Sequence, residues 1–228
     1  MHLLRSNSRE CNKAFIISLR DNEESEKLTN RCSESCKNVG QNYEVFYGFD
    51  GNSGKIIIPP ELENQQWLNW FKVTTDLISP TQISCFLSHM ALWSKCLELD
   101  EPIVILEHDA LMVKKYDFHT HYNAICYLGG LEQFENSMPK PDTYDGPPPM
   151  GSECNKRGFF ICRAHAYAID PAVAKNLLSY VLQNGLYTSL DVAIKSDIFN
   201  IYQDDFYAYD KPGISTIHKD WRYLKSEI

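Results

Sequence analysis

Apolar positions along the chain fall into short continuous runs separated by stretches in which they recur every three or four residues, the alternation expected of an α/β fold. Ala14-Phe15-Ile16-Ile17-Ser18-Leu19 is almost wholly apolar on consecutive positions, which predicts a central strand buried on both faces. Leu28, Cys32, Cys36 and Val39 then return at helical spacing among Glu, Ser, Lys and Asn, so an amphipathic helix follows. Tyr43-Glu44-Val45-Phe46-Tyr47 predicts a second strand, closed by the turn residues Gly48, Asp50, Gly51, Asn52 and Gly54. Ser79-Pro80-Thr81-Gln82 offers a cap, a first-position proline and a Gln placed to complete a capping box. The helix it starts buries Ile83, Phe86, Leu87, Met90, Trp93 and Leu97.

Ile103-Val104-Ile105-Leu106 predicts another buried strand, with Glu107, His108 and Asp109 at its carboxyl end. Ile125 to Leu128, Phe159-Phe160-Ile161 and Ala166-Tyr167-Ala168-Ile169 are further short apolar runs. Asp170-Pro171 starts a helix that buries Val173, Leu177, Leu178 and Val181 and ends at Gly185. Between these elements Gln133 to Gly158 is a long irregular stretch with Pro139, Pro141, Pro147, Pro148 and Pro149. Loops of that length in a compact domain are usually functional or disordered, and this one is either a cover, with Cys154, Lys156 and Arg157 near its hinge, or an ordinary surface insertion. The fold expected is a single Rossmann-type α/β/α domain over 1–228 with a mostly parallel central sheet.

Composition narrows the function. With 228 residues, 43% of them hydrophobic and 23% charged, the chain is long enough to bury an enzyme-sized core. A formal net charge of -8 argues against nucleic acid as a partner, since phosphate backbones need a concentrated basic surface. No run reaches the 18 or so apolar residues of a membrane span, and Met1 to Lys13 is polar, so the expected compartment is the cytoplasm. The eight cysteines are scattered, which favours reduced thiols over a disulfide framework. Cys32 and Cys36 stand four apart on a helix, but no second pair with structural-zinc spacing accompanies them.

Open α/β sheets bind ligands outside the carboxyl ends of their strands, where Glu107-His108-Asp109 lies. The triplet is either a polar strand exit or a site for a divalent ion, and its paired carboxylates suit Mg²⁺ or Mn²⁺, with His108 shifting the preference toward Mn²⁺. Such an ion can neutralise the charge that gathers on a nucleotide diphosphate when it leaves a sugar.

Several blocks then carry a resemblance. Phe15-Ile16-Ile17-Ser18-Leu19-Arg20, Gly48-Phe49-Asp50-Gly51, Ile83-Ser84-Cys85-Phe86-Leu87-Ser88-His89 with Leu92-Trp93, Ile105-Leu106-Glu107-His108-Asp109-Ala110, and His165-Ala166-Tyr167-Ala168-Ile169 with Ala174-Lys175-Asn176-Leu177-Leu178 follow one another in order. They resemble glycosyltransferase family 25, the lipopolysaccharide and collagen galactosyltransferase type, over roughly residues 14 to 195. Ser84 stands where that family usually has Gly, and His108 where it usually has the middle Asp of its acidic block.

The resemblance implies a GT-A-like domain, a UDP-sugar donor, Mn²⁺ or Mg²⁺, and inverting transfer to a hydroxyl on a glycan, a lipid-linked acceptor or a protein. Glu107 and Asp109 would hold the metal, and His218 could supply a late third ligand. Arg20, Asp50, Ser88, His89 and His165 become candidates for binding or shaping the donor site, and Asp191 for the base that takes the acceptor proton. Each also has a plainer reading: Arg20 as a surface charge, Asp50 as a turn residue, Ser88 and His89 as helix packing, His165 as core, Asp191 as a charge at a helix start and His218 as a surface histidine. Two other functions stay open. One is a relative that binds a glycan or nucleotide sugar without turnover; the other is a glycosyltransferase acting on a base in DNA, which the acidic charge disfavours.

Overall fold

The computed structural model describes residues 13–116, 123–131, 164–202 and 206–210. The irregular stretch at 133–158, the apolar run at Phe159-Phe160-Ile161, and His218 all lie outside the described residues. The elements in chain order are β1 (Ala14–Ser18), α1 (Glu23–Val39), β2 (Tyr43–Tyr47), α2 (Pro80–Leu99), β3 (Ile103–Glu107), β4 (Ala110–Met112), β5 (Ile125–Tyr127), β6 (Gly129–Leu131), β7 (Ala166–Ile169), α3 (Pro171–Asn184), α4 (Leu190–Ala193), β8 (Ile201–Tyr202) and β9 (Ala208–Asp210).

Six strands form the central sheet in the order β2-β1-β3-β7-β5-β8. β1 pairs in parallel with β2 and β3, and β5 with β8, so β7 alone runs against the others. This is the expected mostly parallel Rossmann-like sheet. β4, β9 and β6 form a second, three-stranded sheet that the hydrophobic pattern does not predict. No helix among the described residues is long and apolar enough to cross a membrane.

The central strands are apolar on both faces because each face is covered. Phe15, Ile17, Ile103, Ile105, Tyr127, Tyr167 and Ile169 pack on one side with α2 and α3, around Phe86, Met90, Trp93 and Leu177. Ala14, Ile16, Val104, Leu106, Cys126, Ala166 and Ala168 point to the other side, onto Cys32 and Cys36 of α1 and onto Met112 and Ala208 of the smaller sheet. The odd and even numbers follow from the two-residue period of a strand.

Local signals fix where the helices begin. Asn22 caps α1 by accepting from the Ser25 amide at 3.0 Å. At α2 the capping box is complete: Ser79 Oγ accepts from the Gln82 amide at 3.2 Å, and Gln82 Oε1 accepts from the Ser79 amide at 2.9 Å. Asp170 caps α3 through the Val173 amide at 2.8 Å. α2 buries more than its predicted stripe: Ser84, Ser88, His89, Leu92 and Cys96 are also buried, because sheet, α3 and the segment after β2 enclose it.

Candidate active site

The end of β3 sets the site. Glu107 is the last residue of the strand, in register with Ile17 of β1, and His108 and Asp109 form the turn into β4. Continuing the strand's alternation, Glu107 faces α2 and His108 faces α1. All three line a cleft, together with Ile17 and Leu19 of the β1 end, Asp50 and Asn52 of the loop after β2, and Ser84, Cys85 and His89 of α2.

On the α2 side, Glu107 Oε1 accepts from His89 Nε2 at 3.3 Å and from Cys85 Sγ at 3.4 Å. His89 Nδ1 lies 2.7 Å from the Tyr167 hydroxyl, which also accepts from Trp93 Nε1 at 2.9 Å. The indole can only donate, and burial holds the Tyr167 phenol well above its usual pKa, so the phenol keeps its proton and gives it to Nδ1. Nε2 therefore carries the imidazole proton and points it at Glu107. His89 is neutral, since burial lowers its pKa from 6.5 to about 3, and its contact with Glu107 is a hydrogen bond rather than an ion pair. Desolvation raises the Cys85 thiol well above its usual value, and the charges of Glu107, Asp191 and Asp109 raise it further. Three carboxylates thus act on one point.

On the α1 side, Ser25 Oγ accepts from the Leu19 amide at 2.8 Å and lies 2.7 Å from His108 Nδ1, which ties the imidazole to α1. Burial lowers the His108 pKa to about 4, the charge of Glu24 opposes that shift, and Arg31 adds to it. Arg31 also donates to the Asp109 backbone carbonyl at 2.9 Å, which anchors the turn and leaves the Asp109 side chain on the cleft wall.

The loop after β2 is held against α2 by close backbone approach. A Cβ at Gly48 would stand 2.4 Å from Ser88 Oγ, and one at Gly51 would stand 2.3 Å from the Pro80 carbonyl oxygen. Ser88 Oγ accepts from the Phe49 amide at 2.9 Å and donates to the Ser84 carbonyl at 2.8 Å, so its proton is committed within the fold. Asp50 Oδ1 accepts from the Asn52 amide at 2.8 Å and shapes the rim.

Asp50, Ser88, His89, Glu107 and Asp109 therefore come together at one cleft. Three other predicted residues stand apart from its lining. Arg20 pairs with Glu61, and its guanidinium lies 4.4 Å from the centre of the Tyr47 ring. His165 is buried before β7 against Tyr127 and Gly129, and its backbone carbonyl accepts from the Glu107 amide at 2.9 Å. Asp191, in the first turn of α4, accepts from Ser189 Oγ at 2.6 Å and reaches the site through its charge on Cys85. His218 lies outside the described residues.

The family model for glycosyltransferase family 25 (LPS biosynthesis protein) matches residues 11–194. The chain belongs to glycosyltransferase family 25. No curated protein matches it. The span shared with family 25 takes in every residue lining the cleft and reaches just past Asp191, and the family makes the chain a glycosyltransferase. Sequence reasoning missed the supports of this family-25 site, namely Cys85 as a partner of Glu107, Tyr167 and Trp93 behind His89, and Ser25 behind His108. The four-residue spacing of Cys85 and His89 on a capped helix was the one usable signal, because it puts both on one face.

Proposed function

We propose that this glycosyltransferase moves a sugar from a nucleotide-sugar donor, a UDP-sugar by the family resemblance, to a hydroxyl acceptor with inversion, assisted by Mn²⁺ or Mg²⁺. The observation that carries the reading is the convergence of Glu107 and Asp109 on the cleft at the carboxyl end of β3, with the charge of Asp191 acting on the same point. Hard carboxylate oxygens concentrated in this way fit a divalent cation. When bound, such an ion supplies positive charge against the departing diphosphate.

The chain's own residues divide the remaining work. Asp109 and Glu107 would hold the ion, and His89 orients the Glu107 carboxylate by donating to one of its oxygens. The rim at Asp50 and Asn52, pinned to α2 through Gly51, borders the space for the nucleoside. Asp191 takes the proton from the acceptor hydroxyl, a task suited to a carboxylate within hydrogen-bond reach of it. We read the sheet, with β7 alone reversed, as GT-A-like. The acceptor class is a glycan, lipid-linked or protein hydroxyl, and the compartment is the cytoplasm, where the free thiols of Cys32, Cys36, Cys85, Cys96 and Cys126 stay reduced.

The test is UDP release from a panel of UDP-sugars with and without Mn²⁺. Metal-dependent hydrolysis of one donor is expected. Absence of hydrolysis, together with no binding of any nucleotide sugar, overturns the reading.

A further inference from the structure

The cleft also carries a donor set of a different chemical character. Cys85 Sγ, His89 Nε2 and a Glu107 carboxylate oxygen all lie within 4.8 Å of one another, with the sulfur 3.4 Å and the imidazole nitrogen 3.3 Å from Glu107 Oε1. Around tetrahedral zinc, bonds of about 2.3 Å to sulfur and about 2.0–2.1 Å to nitrogen and oxygen place the ligand atoms about 3.3–3.6 Å apart. Both separations from Glu107 Oε1 already have that size. Cys85 and His89 are one turn apart on α2, and Glu107 ends β3, so the three are presented by rigid elements rather than by a loop.

We propose that Cys85, His89 and Glu107 form a preorganised site for a thiophilic divalent ion, Zn²⁺ in the first instance, beside the carboxylates that serve the donor. Thiolate and imidazole select zinc over Mn²⁺ and Mg²⁺, which prefer oxygen shells. On binding, the thiol proton leaves to solvent and the sulfur becomes the thiolate ligand; with the Glu107 carboxylate it balances the two charges of the ion. His89 changes tautomer: its proton moves from Nε2 to Nδ1, the Tyr167 hydroxyl hydrogen turns out of the 2.7 Å contact, and that contact then runs from the imidazole to the phenol oxygen, which still accepts from Trp93. The fourth position is open to a ligand from the cleft. The site uses the Glu107 oxygen that His89 and Cys85 now share, so zinc and a hard donor metal compete for one carboxylate.

The inference stands on this geometry and does not need the proposed donor or acceptor. Cobalt tests it directly. Titrating the protein, kept reduced with a phosphine, with Co²⁺ should give a near-ultraviolet thiolate-to-cobalt charge-transfer band and intense visible bands of tetrahedral cobalt, saturating at a single equivalent and erased by Zn²⁺. Cys85→Ser should lose the charge-transfer band, while the double variant Cys32→Ser/Cys36→Ser should keep it. No such band in the parent, or its persistence in Cys85→Ser, overturns the proposal. Zinc-edge X-ray absorption on the parent needs no variant: a sulfur scatterer at about 2.3 Å is expected, and a shell of nitrogen and oxygen alone counts against the site. Neither experiment measures sugar transfer, so failure of that activity and failure of this site are read separately.

Discussion

The two faces of the central sheet are packed from different materials, and the site inherits the difference. The face under α2 and α3 is built around large side chains, Phe15, Phe86, Met90, Trp93 and Tyr167, while the face under α1 sets small ones, Ala14, Cys32, Cys36, Ala166 and Ala168, among the aliphatic Ile16, Val104 and Leu106. Where β3 runs out, Glu107 falls to the aromatic side and is gripped by a buried polar chain through His89, Tyr167 and Trp93. His108 falls to the small side and is tied to Ser25 of α1. The first face fixes a carboxylate at the cleft; the second holds the turn in place. A substitution at His108, the middle of the triplet, should therefore act first on its tie to α1 rather than on Glu107.

The sharpest way to break this division is at the carboxylates. Asp109→Asn should lower metal-dependent turnover about a thousandfold or more while leaving the fold intact, since an amide is a poor ligand for a hard ion. Glu107→Gln should cost less. Equal activity of Asp109→Asn and the parent at limiting Mn²⁺ would remove the metal role from this side. Next in size, Asp191→Asn should lower kcat about a hundredfold with little change in the donor KM, as expected for loss of a base. A change confined to KM would instead make Asp191 a binding residue.

The faces separate more finely when their supports are removed. Tyr167→Phe strips partners from His89 and Trp93, so activity should fall about tenfold and stability by about 1–3 kcal/mol. Ser25→Ala should cost about the same stability but leave kcat/KM close to the parent value. Matched losses of activity in both variants would abolish the distinction.

Acid probes both faces together. His89 and His108 have pKa values lowered from 6.5 to about 3 and about 4, so below pH 6.5 the unfolded chain binds protons that the native state refuses. Their contribution is complete above pH 6.5 and is lost as pH falls toward those values, by about 1.4 kcal/mol per pH unit for each histidine. Urea midpoints between pH 7 and pH 4 should follow this trend, and the double variant His89→Gln/His108→Gln should flatten it. The smallest effect is expected from His108→Asp. The new carboxylate meets Ser25, the charge of Arg31 and the positive end of α1, so kcat/KM should stay within about threefold, under ~0.7 kcal/mol. A large gain or loss would show that the middle residue reaches the reacting groups.

Much of the scaffold was legible because local and tertiary demands coincide. Ala14–Ser18, Ala166–Ile169, the capping box at Ser79 and Gln82, and the helix from Asp170 to Gly185 all stand where their residues predict. The three-residue strands β4, β6 and β9 were not legible: a run that short has no measurable period, and each finds its partner far along the chain. α4 begins where Ser189-Leu190 suggests but lasts only 4 residues. At the site, the carboxyl end of β3 could be chosen from topology alone. The buried supports could not: Tyr167 looks like any strand aromatic until the antiparallel pairing of β3 with β7 sets it opposite Ile105 and beneath His89.

That pairing has a consequence for the order in which the protein matures. During synthesis the segment from β1 to β3 can assemble its parallel strands and helices as soon as it emerges, with Glu107, Cys85 and His89 already present. The phenol that fixes the His89 tautomer arrives about sixty residues later, as does the His165 carbonyl that receives the Glu107 amide. Until β7 docks, the imidazole is free to turn and the strand end is unlatched. A nascent chain released before that point would hold Glu107, Cys85 and His89 without their geometry, and its competence should switch on only when the antiparallel strand is in place.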